Sequence, residues 1–231
     1  MLSVRDFKEF TFEKDDVYDD VIELLEDDLK SYYIRRFLSD IFQRRDLSEF
    51  EISILIEKWN IKKDFLKKLV KGDILVKKGE RYHLADSLNN FSLLISSYIA
   101  RFLRREFCID AILNVKLKLL KEGGDIDILS SYKFNLIMAE VKESPPNNIS
   151  LKELRLLYKR FESVDPDFFV FLIDTTLSIK RNILDNLKNL FGIDALRLRE
   201  GVYQVSNGSF VVTAKRDLLY NLRFVFEKAI L

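Results

Sequence analysis

The segment that most constrains this chain is Phe168 to Ile173, FFVFLI, six consecutive apolar residues with no polar interruption. A strand exposed on one face alternates apolar and polar side chains, so an unbroken run of this kind belongs to a strand buried on both faces. Such a strand lies deep in a sheet that has helices on either side. With 231 residues and 48% apolar content, the chain has the material for that core.

Upstream, two further strands carry charge. Asp127 sits among Ile126, Ile128 and Leu129, the stretch SSYKF supplies a turn, and Leu136, Ile137, Met138, Ala139 and Val141 form a second apolar run bearing Glu140 and Lys142. Side chains alternate along a strand, which puts Glu140 and Lys142 on one face and Val141 on the other. A hairpin of these strands brings Asp127, Glu140 and Lys142 together. Hard divalent cations are held by one or two carboxylates plus water and phosphate oxygens. The expected cofactor is therefore Mg²⁺ or Mn²⁺ on Asp127 and Glu140, with Lys142 orienting the attacking water for phosphodiester cleavage. Asp125 shares the face of Asp127 and competes with it as a ligand. The same Glu-x-Lys pattern also arises on ordinary solvated strand faces.

Asp127, about a dozen residues, then Glu140-Val141-Lys142 on an apolar strand, with Gly123 and Gly124 leading in, resembles the PD-(D/E)xK nuclease superfamily. The order of a long helix, the strands DAILNVKLKLL, DIDILSS and FNLIMAEVK, a helix and the strand DFFVFLIDT is similar to that family's core. The resemblance covers roughly residues 92 to 174 and departs from the motif in having Gly124-Asp125 for Pro-Asp. It implies a restriction-endonuclease-like fold, an α/β architecture with a mixed central sheet flanked by helices. It also implies a metal-dependent endonuclease, acting most readily on DNA and commonly as a homodimer. The family's helical glutamate falls on Glu106, and the carbonyl of Val141 joins the implied metal set.

A smaller α+β domain precedes this core, and the expected division is 1–90 and 91–231. Ser48 and Glu51 form a capping box ahead of Ile52, Leu55, Ile56 and Trp59 at helical spacing, and Asn60 closes that helix. Lys62 to Lys71 form a second helix with Phe65, Leu66, Leu69 and Val70 on one face, closed by Gly72. A hairpin turning at Lys78-Gly79-Glu80 follows. The arrangement resembles a winged helix-turn-helix, in which Lys62, Lys63, Lys67 and Lys71 on the second helix, with Lys78 and Arg81 on the wing, would track phosphates. Protein–protein docking is the alternative use of such a module. Arg155 and Lys159, four residues apart on a later helix whose charged face also carries Lys152 and Arg160, are candidate phosphate contacts or solvated cations. A net charge of +1 decides nothing about nucleic acid.

One cysteine and one histidine exclude an internal disulfide and a Cys/His zinc cluster. No apolar run approaches the length of a membrane span, and MLSVRD does not open a signal peptide, so a cytoplasmic protein is expected. Two other functions fit the same residues: a nucleic-acid-binding or regulatory protein that keeps a nuclease scaffold without turnover, and an RNA-cleaving defence effector.

Overall fold

The computed structural model describes residues 10–13, 18–117 and 125–230. Gly123 and Gly124 lie outside these. The chain divides into two compact units, Asp16–Tyr98 and a larger one made of Met1–Asp15 with Ile99–Leu231. The division therefore falls at 98/99 rather than 90/91. It lies within α5 (Phe91–Phe107), and β1 (Phe10–Glu13) belongs to the larger unit because it pairs with β5 (Ala111–Leu117).

In the smaller unit, α1 (Asp19–Leu25) and α2 (Tyr32–Arg44) lead to β2 (Asp46–Ser48), α3 (Glu49–Trp59), α4 (Lys63–Lys71), β3 (Leu75–Lys78) and β4 (Arg81–Leu84). The strands form an antiparallel sheet in the order β2-β4-β3. The expected capping box starts α3: the Glu51 N–H donates to Ser48 Oγ at 3.3 Å and the Ser48 N–H to Glu51 Oε2 at 2.8 Å. Asn60 ends the helix in the left-handed region at φ 52°. Gly72 does not play the expected part after α4, because its φ is −93° and Asp73 takes the left-handed position at φ 54°. A Cβ at position 72 would stand 2.1 Å from Leu24 Cδ2, so a larger residue there obliges that side chain to move. Phe37, Leu38, Ile41, Leu47, Leu55, Phe65, Leu69 and Leu75 fill the core of this unit.

The larger unit is a mixed α/β structure around an eight-stranded sheet, ordered β1-β5-β6-β7-β8-β11-β10-β9. Its further elements are β6 (Ile126–Tyr132), β7 (Asn135–Lys142), α6 (Leu151–Val164), β8 (Phe168–Ile173), a π-helical turn (Lys180–Leu184), α7 (Asp185–Phe191), β9 (Leu196–Arg199), β10 (Val202–Ser206), β11 (Ser209–Thr213) and α8 (Leu218–Ile230). β8 lies between β7 and β11, parallel to both, and all six of its residues are buried. Neighbouring residues on β8 show which helix covers which face. Phe168 packs on Phe226 of α8 with ring centroids 4.9 Å apart, while Phe169 packs on Phe161 of α6 at 5.2 Å. α8 and α6 therefore cover opposite faces. Phe107 at the end of α5 lies 5.4 Å from Phe226, so that end of α5 shares the α8 face. Among the described residues no helix is long and apolar enough to cross a membrane.

Two hairpin turns refine the sequence reading. β6 continues through Ser130, Ser131 and Tyr132, so the expected SSYKF turn shrinks to Lys133-Phe134, both at positive φ as a two-residue primed turn demands. Asn207-Gly208 joins β10 to β11. Gly208 has φ 75°, and a Cβ there would sit 2.4 Å from the carbonyl oxygen of Asp167. Gly208→Ala is expected to lower the unfolding free energy by about 2 kcal/mol, read from urea denaturation. A loss below about 0.5 kcal/mol would show that the turn relaxes without cost.

Candidate active site

β6 and β7 are antiparallel, with Leu129 opposite Met138 and Ile128 opposite Ala139. One step further in the same register, Asp127 stands across from Glu140. Glu140 in turn pairs in register with Phe171 and Lys142 with Ile173 across β7 and β8, so both side chains share the face that α6 covers. The hairpin thus assembles the three residues that the sequence marks.

Glu140 is 1% exposed. Arg160 of α6 grips it as a fork, with Nε donating to Oε1 at 3.1 Å and Nη2 to Oε2 at 2.8 Å. Burial raises the Glu140 pKa from 4.5 to about 7, and the neighbouring charge of Asp127 adds to that, against the opposing pull of Arg160 and Lys142. Asp127 is raised as well, chiefly by burial. The Val141 N–H donating to Asp127 Oδ2 at 2.6 Å, with the charges of Lys142 and Arg160, works the other way. Two carboxylates and two cations therefore share one buried corner of the sheet.

The remaining candidates separate on geometry. Asp125 stands just outside β6 and pairs with Lys116 at 3.6 Å, which leaves Asp127 as the carboxylate facing Glu140. The structure records Val141 as the N–H donor to Asp127. Glu106 is not part of the cluster: it ion-pairs with Arg223 of α8, on the sheet face opposite Glu140. Arg155 and Lys159 are exposed on α6, whereas Arg160, expected on their charged face, is buried. Arg160 is the site residue that sequence reasoning missed. The available signal was its place on the apolar stripe Leu154, Leu157, Val164. Among the described residues no group of three or more His, Cys, Asp or Glu side chains converges as a metal cluster. The oxygen donors of Asp127 and Glu140 nevertheless fit a hard divalent cation in kind.

In the smaller unit, two of the expected phosphate contacts are engaged within the protein. Lys67 pairs with Asp64 at 2.9 Å and Arg81 with Asp46 at 2.9 Å. Lys62, Lys63, Lys71 and Lys78 are exposed and have no ion pair among the described residues.

A mixed α/β sheet protein with a buried carboxylate–cation cluster at its β6–β7 strands is the class that these features define. Two solved structures share the fold. One is protein VC1899 from Vibrio cholerae, with a TM-score of 0.54, 13% identity, and coverage of 95% of this chain and 59% of that one. The other is Can2 from Sulfobacillus thermosulfidooxidans in complex with cyclic tetra-adenylate, with a TM-score of 0.54, 13% identity, and coverage of 96% and 57%. The chain thus spans under two thirds of either protein. No protein-family profile and no curated protein sequence matches it.

Proposed function

We propose that the chain is a Mg²⁺- or Mn²⁺-dependent nuclease with a restriction-endonuclease-like core, acting on DNA as its preferred substrate. The observation that carries this reading is the placement of Asp127 opposite Glu140, with Lys142 on the same buried face. Asp127 and Glu140 would hold the cation. A divalent cation there supplies charge neutralisation at the phosphate and makes nearby water more acidic. Lys142 places an ammonium beside both carboxylates, where it orients the water that attacks phosphorus. The smaller unit is read as winged-helix-like, with Lys62, Lys63, Lys71 and Lys78 following the nucleic-acid backbone. The cyclic tetra-adenylate bound by Can2 is a phosphodiester-linked ligand on a related fold, which supports a nucleic-acid-type partner here.

The test is cleavage of labelled duplex, single-stranded and branched DNA and of RNA with Mg²⁺ or Mn²⁺, comparing wild type with Glu140→Ala. Metal-dependent cutting that the variant loses is the expected result, and the arm that is cut identifies the substrate. A second reading, a nucleic-acid-binding scaffold without turnover, is favoured by one observation: both oxygens of Glu140 are already held by Arg160. Binding without cutting in both proteins would establish it. RNA as the only substrate cut would instead make the chain an RNA-cleaving effector.

A further inference from the structure

The cluster is closed as it stands. Both Glu140 oxygens accept from Arg160, one Asp127 oxygen accepts from the Val141 N–H, and the charges of Asp127 and Glu140 are balanced by those of Lys142 and Arg160. A divalent cation arriving alone meets a site whose central carboxylate already has both oxygens held by a guanidinium. The Arg160 fork approaches Glu140 along the two oxygens that a chelated cation would use.

Breaking a buried ion pair on one side strands a charge, and that is costly. A cation that took Glu140 by itself would leave Arg160 unpaired at 10% side-chain exposure. A phosphate that took Arg160 by itself would leave Glu140 unpaired at 1%. Only the joint exchange keeps every buried charge matched, with the cation on Glu140 and the phosphate on Arg160. Arg160 is suited to such an exchange because its Nη1 has no hydrogen-bond partner among the described residues, so the guanidinium can take a phosphate oxygen as it turns from Glu140.

We propose that Arg160 swaps partners during binding, releasing Glu140 and taking a nonbridging oxygen of the incoming phosphodiester, so that the divalent cation and the nucleic-acid phosphate bind cooperatively. This rests on the nuclease reading above and adds Arg160 to the groups that touch substrate. It also makes the metal site dependent on substrate: with no nucleic acid present, the Arg160–Glu140 pair holds the cation off, and the phosphate backbone opens the site.

The test measures Mn²⁺ binding by electron paramagnetic resonance on the full chain. It is run with and without a phosphorothioate DNA hairpin that carries a single-stranded tail, for wild type, Arg160→Gln, Arg160→Lys and Glu140→Gln. In wild type the hairpin is expected to tighten Mn²⁺ by about tenfold or more. In Arg160→Gln that factor collapses towards one, because the glutamine carries no charge to hand from carboxylate to phosphate. Arg160→Lys, which keeps the charge and loses the fork, recovers part of it. Equal coupling in wild type and Arg160→Gln, or none in wild type, overturns the proposal. If Arg160→Gln does not fold, as thermal unfolding would show, the wild-type factor and Arg160→Lys decide: no coupling in wild type, or undiminished coupling in the lysine variant, is an overturning result. Glu140→Gln separates the two levels of the argument. Mn²⁺ bound as tightly by Glu140→Gln as by wild type removes the metal-site reading itself. Mn²⁺ lost in Glu140→Gln while Arg160→Gln keeps full coupling removes only the exchange.

Discussion

Lys142→Met is expected to lower the single-turnover rate of metal-dependent cleavage by about 10²–10³-fold. The size follows from position. Lys142 is half-buried at the end of β7, on the face of Glu140, and its charge acts on both Asp127 and Glu140. An ammonium fixed beside developing negative charge in a water-poor corner stabilises it far more than a solvated one does. Methionine keeps the length and apolar stem of lysine, so packing against the neighbouring strand persists while the charge is gone. Asp127→Asn separates a metal defect from a defect in water orientation. It preserves an acceptor for the Val141 N–H but weakens the cation site, so its loss should shrink as metal concentration rises. The Lys142→Met loss should not. A Lys142→Met rate within about threefold of wild type would leave this residue no part in the chemistry.

How much of this was legible in the sequence depends on the range of the interaction. The buried strand β8, the capping box at Ser48 and the β6–β7 hairpin are written in local periodicity and turn chemistry, and the structure has each of them. The hairpin was decisive for the site, because its short turn fixes a register, and the register sets Asp127 opposite Glu140. What local pattern does not carry is which face of the sheet a helix covers. Glu106 matched a family position in the sequence, but the end of α5 docks beside α8 through Phe107 and Phe226, and that contact turns Glu106 to Arg223. The pairing of β1 with β5 is equally non-local. Arg160 was hidden for a different reason. Among the charges of KELRLLYKRFE it looks like one more solvated cation, although its spacing from Leu157 and Val164 places it on the buried stripe. A charged residue on an apolar stripe implies a buried partner of opposite sign, and the only acidic residue on the facing run of β7 is Glu140.

That buried partner gives the protein a measurable pH signature. In metal-free buffer, wild-type stability is expected to fall by an amount on the order of 3 kcal/mol as pH rises from about 4.5 to about 7, relative to Glu140→Gln. The sign comes from the direction of the shift. The Glu140 pKa moves from 4.5 in the unfolded chain to about 7 in the folded one, so within that window the folded state binds more protons than the unfolded state. Its contribution to stability is complete below pH 4.5 and is lost as pH rises through the folded value. Glutamine keeps an acceptor for Arg160 and cannot titrate, which removes this part of the slope. Asp127, raised in the same direction, leaves a remainder in the variant. Urea denaturation of both proteins across this range measures the difference, and parallel curves would mean that Arg160 fully compensates the burial of Glu140. Saturating Mn²⁺ together with the phosphorothioate hairpin should flatten the wild-type curve, because a carboxylate held by a cation no longer gains from a proton.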